Sequence, residues 1–258
     1  VAVRFPGAPD AEAAALKAVV LEMLPNKPMV ELSLSRVMAY MHDEPKPKTV
    51  DVNLQPPPIY YRDVPSVLVI YMGPPQFKPV PNTTLMWAVN TNWVVLMDTK
   101  SSQYYLNVGK SWLTAPDAVN GPWTPATQLP AEFFLLPNND QWKDIEKNVP
   151  GQPFQTVPQV VTSTEPAEMI LTNGPPSYSP IDGTRLMYIS NPTMPVFLDM
   201  SNSNYYYLVA GRWFSAPSLG GPWSAASANL PSEFAKIPAS SPVGFVLTSV
   251  PGTVEAND

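Results

Sequence analysis

Tyr104-Tyr105-Leu106-Asn107-Val108-Gly109-Lys110-Ser111-Trp112-Leu113-Thr114-Ala115-Pro116 returns 101 positions later as Tyr205-Tyr206-Tyr207-Leu208-Val209-Ala210-Gly211-Arg212-Trp213-Phe214-Ser215-Ala216-Pro217. Each version reads as a β-hairpin: an aromatic, β-branched run, a two-residue glycine turn, and a second such run. Working outward, the same shift lays Gly73-Pro74-Pro75 on Gly174-Pro175-Pro176, Leu85-Met86-Trp87 on Leu186-Met187-Tyr188, and Asp98 on Asp199. Downstream, Leu129-Pro130-Ala131-Glu132-Phe133 falls on Leu230-Pro231-Ser232-Glu233-Phe234, and Val149-Pro150-Gly151 on Val250-Pro251-Gly252. A one-residue slip between Gly121-Pro122-Trp123 and Gly221-Pro222-Trp223 is restored before Leu129 and Leu230. Copies at a fixed period bury equivalent faces in equivalent ways. The repeat therefore predicts two like units and argues against one asymmetric active site.

Turn residues divide each copy further. Asn90-Thr91-Asn92, Thr99-Lys100-Ser101-Ser102 and Ser201-Asn202-Ser203 separate apolar runs, which predicts four-strand meanders over 84–114 and 184–215. A strand at 67–71 or 169–172 precedes each meander, before the Gly-Pro-Pro turn. A Gly-Pro-Trp loop follows, then Leu-Pro-x-Glu-Phe, where Pro130 and Pro231 suit a helical start and the acid favours the dipole's positive end. The opening segment is different. Asp10 reads as an N-cap, with Leu16, Val19, Val20, Met23 and Leu24 at helical spacing up to Pro25, and residues 50–54 read as a strand. The expected fold is mainly β: a small α+β segment at 1–56, then two tandem homologous antiparallel β-meander modules at 57–157 and 158–258. Each module reads as one blade, or as half of a pseudo-symmetric sandwich.

Composition narrows the function. Apolar residues make up 45% of the chain, enough for real cores, while charged residues reach only 14% and the net charge is −6. Nucleic acids and anionic membrane surfaces call for a basic stripe that is not there. No apolar run approaches the roughly 18 residues of a membrane helix, so no membrane insertion is expected. The 34 prolines against 12 glycines imply rigid turns between short strands rather than flexible linker. With no cysteine, disulfides and thiolate sites are ruled out. A start at Val1 reads as a processed or excised chain, and the Asn, Ser, Thr and aromatic richness as an exported one, periplasmic, cell-surface or secreted.

Catalytic constellations are sparse. The sole histidine, His42, sits in Met41-His42-Asp43-Glu44 and reads as a solvated loop; no Gly-x-Ser-x-Gly elbow accompanies it. Asp98 with Glu132, and Asp199 with Glu233, offer carboxylate pairs of the kind glycosidases use. Their recurrence in both copies fits turn and helix-start service better. The eleven methionines, Met38 and Met41 among them, read as packing rather than soft-metal ligation. No enzyme activity, metal or cofactor is expected.

Aromatic rings remain. Trp123 and Trp223, behind rigid Gly-Pro, are expected to close the cores. Trp112, Tyr104 and Tyr105, with Trp213, Tyr205, Tyr206 and Tyr207, alternate along strands, so some are expected to face outward as a binding surface. The stretches 108–115 and 209–216, each followed by Gly-Pro-Trp, resemble the small chitin-binding modules of carbohydrate-binding families five and twelve, though Pro116 and Pro217 stand where a second tryptophan would follow. That resemblance implies aromatic stacking on sugar rings. Over more of the chain, Val3 to Asp10, Glu165 to Gly174, the Tyr206-Tyr207 strand with Gly211-Arg212-Trp213-Phe214, and Leu230 to Phe234 are similar to repeat-containing bacterial envelope proteins with a generic carbohydrate-binding label. The expected function is a non-catalytic binding module with polysaccharide as ligand. The rival is a structural subunit that packs on neighbouring subunits and forms a homo-oligomer, and an envelope hydrolase is the third reading. Aromatics lining a groove with Asn or Asp hydrogen-bonders beside them favour sugar; aromatics packed beneath Pro loops or against a neighbouring chain favour assembly.

Overall fold

A computed structural model of the chain describes residues 55–256. The expected helix near 10–24, the strand at 50–54 and His42 lie outside the described residues. Within them the repeat becomes two antiparallel sheets of six strands each, joined strictly in sequence order. The first holds β3 (Phe77–Pro79), β4 (Leu85–Ala88), β5 (Val95–Asp98), β6 (Gln103–Val108), β7 (Ser111–Ala115) and β8 (Thr124–Pro125). The second holds β11 (Tyr178–Pro180), β12 (Leu186–Ser190), β13 (Thr193–Asp199), β14 (Asn204–Val209), β15 (Arg212–Ala216) and β16 (Ser224–Ala225). The four inner strands of each meander match the sequence expectation. The outer ones add to it, being two or three residues long and carrying proline or serine in place of an alternating pattern.

What the repeat alone does not foretell is how the copies join. Each copy opens with two short strands: β1 (Ile59–Arg62) and β2 (Ser66–Ile70) in the first, β9 (Gln159–Ser163) and β10 (Glu168–Leu171) in the second. β1 runs parallel to β10, and β2 parallel to β9, so every pair takes one strand from each copy. Tyr60 lies opposite Met169 and Leu68 opposite Val161, which is the same register once the 101-residue shift is applied. Backbone bonds tie the ends across copies: Gln159 N–H to Pro65 O at 2.9 Å, Tyr71 N–H to Ser163 O at 2.8 Å, Glu168 N–H to Pro58 O at 2.8 Å and Thr172 N–H to Arg62 O at 2.9 Å. The exchange is reciprocal and obeys a pseudo-twofold. Both copies belong to one compact unit, Leu54–Asp258.

The exchanged ribbons complete the cores. Val67 and Val69 of β2 and Val160 of β9 pack with Val95, Leu106 and Leu113 on one face of the first sheet. Ile170 of β10 with Ile59 and Tyr61 of β1 packs with Val196, Tyr207 and Phe214 on the matching face of the second. The opposite faces are covered by each copy's own tail. In the first copy this tail is the 3-10 turn Ala131–Leu135 and α1 (Lys143–Glu146); in the second, the 3-10 turns Ser232–Lys236 and Gly244–Ser249. Each sheet is therefore the middle of three layers, and neighbouring residues such as Leu96 and Val95, or Trp213 and Phe214, are both buried because both faces are dry. Full burial of one such side chain is worth about 1.5–3 kcal/mol, so a lent strand contributes materially to its host's core.

Candidate functional site

The residues expected to face a ligand lie in these cores, and the expectation is corrected. Trp112 is 2% exposed and Trp213 1%. Their indole N–H groups donate to Asn148 O at 2.6 Å and Ser249 O at 2.7 Å, equivalent carbonyls in the two tails. Phe133, from Leu-Pro-x-Glu-Phe, stands edge-on to Trp112 at 5.1 Å between ring centres and meets Tyr105 at 5.1 Å. Phe234 repeats this with Trp213 at 4.8 Å and Tyr206 at 5.2 Å. Edge-to-face contacts of this kind add about 0.5–1.5 kcal/mol each beyond burial. Tyr105, Tyr206 and Tyr207 are buried too. Tyr104 and Tyr205 are half-buried: Tyr104 packs against Phe77, and the hydroxyl of Tyr205 lies 3.2 Å from that of Tyr178. Alternation along β6 and β14 does turn these rings to both faces, but both faces are covered: Tyr105, Trp112, Tyr206 and Trp213 lie under the tails, and Tyr104, Tyr205 and Tyr207 on the ribbon side.

Trp123 and Trp223 are half-buried and pack against the ribbon-side cores. Each folds back over the glycine two residues earlier: a Cβ on Gly121, whose φ is +65°, would meet the backbone nitrogen of Trp123 at 3.0 Å. Their indole nitrogens are buried without a hydrogen-bond partner, so they offer a ligand no donor.

The recurring carboxylates serve local structure. Asp98 accepts from the Ser101 hydroxyl at 2.7 Å, from the Lys100 and Ser101 N–H groups at 3.2 Å, and from Thr84 at 3.3 Å. Burial pushes its carboxyl up, but these bonds outweigh burial and hold it below the usual range. Glu132 is held low chiefly by Lys100, 2.7 Å away, and by the Thr84 N–H. In the second copy Asp199 accepts from Ser201 and Asn202, and Glu233 from Lys236 and the Arg185 N–H. A glycosidase needs one carboxyl held protonated. Asp98 and Glu132 both shift the other way.

Two features escaped the sequence reading. Asn90 donates to Met72 O and Pro74 O and accepts from the Gln76 N–H, and Asn191 makes the equivalent bonds to Asn173, Pro175 and Ser177. Proline has no N–H, so a Gly-Pro-Pro loop relies on a side-chain amide to tie it down. Both asparagines recur at the repeat spacing, and that signal was there to be read. The second feature is an asymmetry. Where the first copy has Val67 and Leu106, the second has Glu168 and Tyr207, whose side chains interact. Burial raises Glu168 against the opposing pull of the Tyr207 hydroxyl, and burial with the nearby carboxylate pushes Tyr207 up to about 12.

On the surface of the first copy Phe134 and Leu135 are 61% and 56% exposed. Phe134 borders a groove of about 660 Å³ with Leu129, Phe154 and Val157; the buried Trp112 reaches its wall, and Thr127, Gln128 and Gln152 are its polar lining. The second copy has Ala235 and Lys236 in place of that pair. Among the described residues no group of three or more His, Cys, Asp or Glu is placed to hold a metal, and no helix is long and apolar enough to cross a membrane. Compared with protein-family models, curated proteins and solved structures, the chain matches none.

Proposed function

We propose that this chain is a non-catalytic structural module of an exported bacterial protein, and that it works by packing against protein neighbours. One contrast carries the reading: the predicted ligand-facing rings are spent on two interior cores, while the surface displays Phe134 and Leu135 beside a groove whose lining holds neither Asn nor Asp. Exposed apolar patches of this kind mark protein contacts. The polysaccharide reading needs stacked rings at the surface, and the residues named for it are internal or half-buried. Proline-held loops and low net charge suit a rigid, repetitive building block. The export assignment rests on the composition, rich in Asn, Ser, Thr and aromatic residues and poor in lysine.

The test pairs two measurements on the full chain. Sedimentation velocity across a concentration series is expected to show self-association, and pull-down on insoluble chitin and cellulose to show no retention. A strict monomer that is retained on either polysaccharide would replace this reading with the sugar-binding one.

A further inference from the structure

The geometry points to the outer edge of β9 as the place where a second copy of this chain docks, strand against strand. The inference rests on the structural reading above. In a parallel pair, alternate residues of a strand turn both backbone groups to the partner. The bonds Gln159 N–H to Pro65 O and Tyr71 N–H to Ser163 O mark 159, 161 and 163 as the residues facing β2. The N–H and C=O of Val160 and Thr162 therefore point away from β2. Among the described residues, β9 pairs with no strand but β2.

Two of the other three ribbon edges are guarded, and the third strand, β10, carries the acid Glu168. The outer edge of β2 is closed by side chains: Asn92 accepts from the Ile70 N–H and donates to Leu68 O, and the Trp93 indole donates to Leu68 O. On β1, the pseudo-symmetric counterpart of β9, the outward carbonyl of Tyr61 accepts from the Arg62 guanidinium at 2.7 Å. β9 itself reads Gln-Val-Val-Thr-Ser, without a charge, a proline or a bulge, and these are the devices that keep natural edges from pairing. A groove of about 650 Å³ runs beside it, lined by Val119, Pro122 and Trp123 on one side and Val157 to Thr162 on the other, which leaves room for an added strand's side chains. Val157, at the entrance, is 46% exposed.

A second copy is the occupant that continues what already exists. β9 joins two copies of the repeat through its inner edge, and the same strand from another chain, laid antiparallel, would extend that ladder about a twofold axis, the commonest symmetry of soluble assemblies. Only Val160 and Thr162 offer bonds, so the contact is weak and concentration-dependent.

Sedimentation equilibrium of the full chain tests it with three variants. Thr162→Pro removes an outward N–H without touching a β2 bond; Thr162→Lys keeps the backbone but places a charge on the edge; Thr162→Val keeps both edge and neutrality. Wild type and Thr162→Val are expected to dimerise alike, whereas the Pro and Lys variants weaken dimerisation at least tenfold with unchanged circular dichroism. Should the proline variant fail to fold, the lysine variant decides. A dimer that neither variant weakens but Phe134→Ser abolishes would overturn the β9 edge and leave the structural reading standing. A monomer at every concentration overturns the docking proposal, and polysaccharide retention by that monomer removes the structural reading as well.

Discussion

Truncating Trp213 separates a core indole from a surface one by a margin that equilibrium unfolding measures easily. The ring is 1% exposed, touches Phe197 and Phe234, and donates to Ser249 O. Trp213→Ala removes a side chain whose loss from a core costs about 3–5 kcal/mol. It also orphans a carbonyl, at about 1–3 kcal/mol unless water reaches it. The expected loss is about 4–8 kcal/mol, a large fraction of the roughly 5–15 kcal/mol that holds a domain together. Trp213→Phe keeps much of the ring and loses chiefly the hydrogen bond, so about 1–3 kcal/mol is expected. Urea unfolding followed by far-ultraviolet circular dichroism gives both values, and Trp112→Ala should behave alike because its surroundings are equivalent. Had these rings faced solvent, each change would fall within about 0.5 kcal/mol. A loss that small at Trp213 would refute its core assignment and return it to the candidate binding surface.

Two further outcomes are expected. A Cβ on Gly151, at φ +92°, would meet Trp112 Cδ1 at 2.8 Å, whereas one on Gly252, at φ +86°, meets nothing within 4 Å; Gly151→Ala should thus destabilise by about 1–3 kcal/mol more than Gly252→Ala in the same unfolding assay. Glu168 has its folded pKa raised above the ordinary value, so its contribution is most favourable below the unfolded carboxyl pKa and is lost as pH rises through the folded one. Glu168→Gln keeps the side chain's shape without its charge, and thermal melts should show it at least as stable as wild type at pH 7, with the gap closing toward pH 4. A variant clearly less stable than wild type at pH 7 would contradict that assignment.

How far the fold was legible follows from range. The strands 103–108 and 111–115 are joined by two-residue turns whose glycines announce the hairpin, and the repeat doubles that signal. β1 and β9 carry no such mark. They are short, follow prolines, and pair in parallel with strands about a hundred residues away, a contact for which no turn chemistry exists. Missing the exchange left the side of each sheet that carries Tyr104, Tyr205 and Tyr207 without a cover, while Trp112, Tyr105, Trp213 and Tyr206 lie under tails whose short 3-10 turns have no periodic pattern to reveal them. Adjacent apolar pairs such as Leu106 beside Tyr105, or Phe197 beside Val196, were the available sign of two-sided burial. So was the kept spacing from Trp112 to Phe133 and from Trp213 to Phe234 across a loop that differs by one residue, as befits rings that touch. The carboxylates were legible because a residue that recurs at a strand end, followed by serine and asparagine, has turn amides within reach.

The reciprocal loan of strands can be caught directly, since the chain has no cysteine of its own. Tyr60→Cys with Met169→Cys places two thiols on facing positions of β1 and β10, and a protease site between Gln155 and Thr156, both exposed, allows the copies to be cut apart. After treatment of the dilute monomer with a short thiol cross-linker and cleavage, exchange predicts that the two fragments migrate as one band on a denaturing gel. Two separate bands, from protein that was folded when cross-linked, would mean that each copy keeps its own first strand and would contradict the pseudo-twofold scaffold.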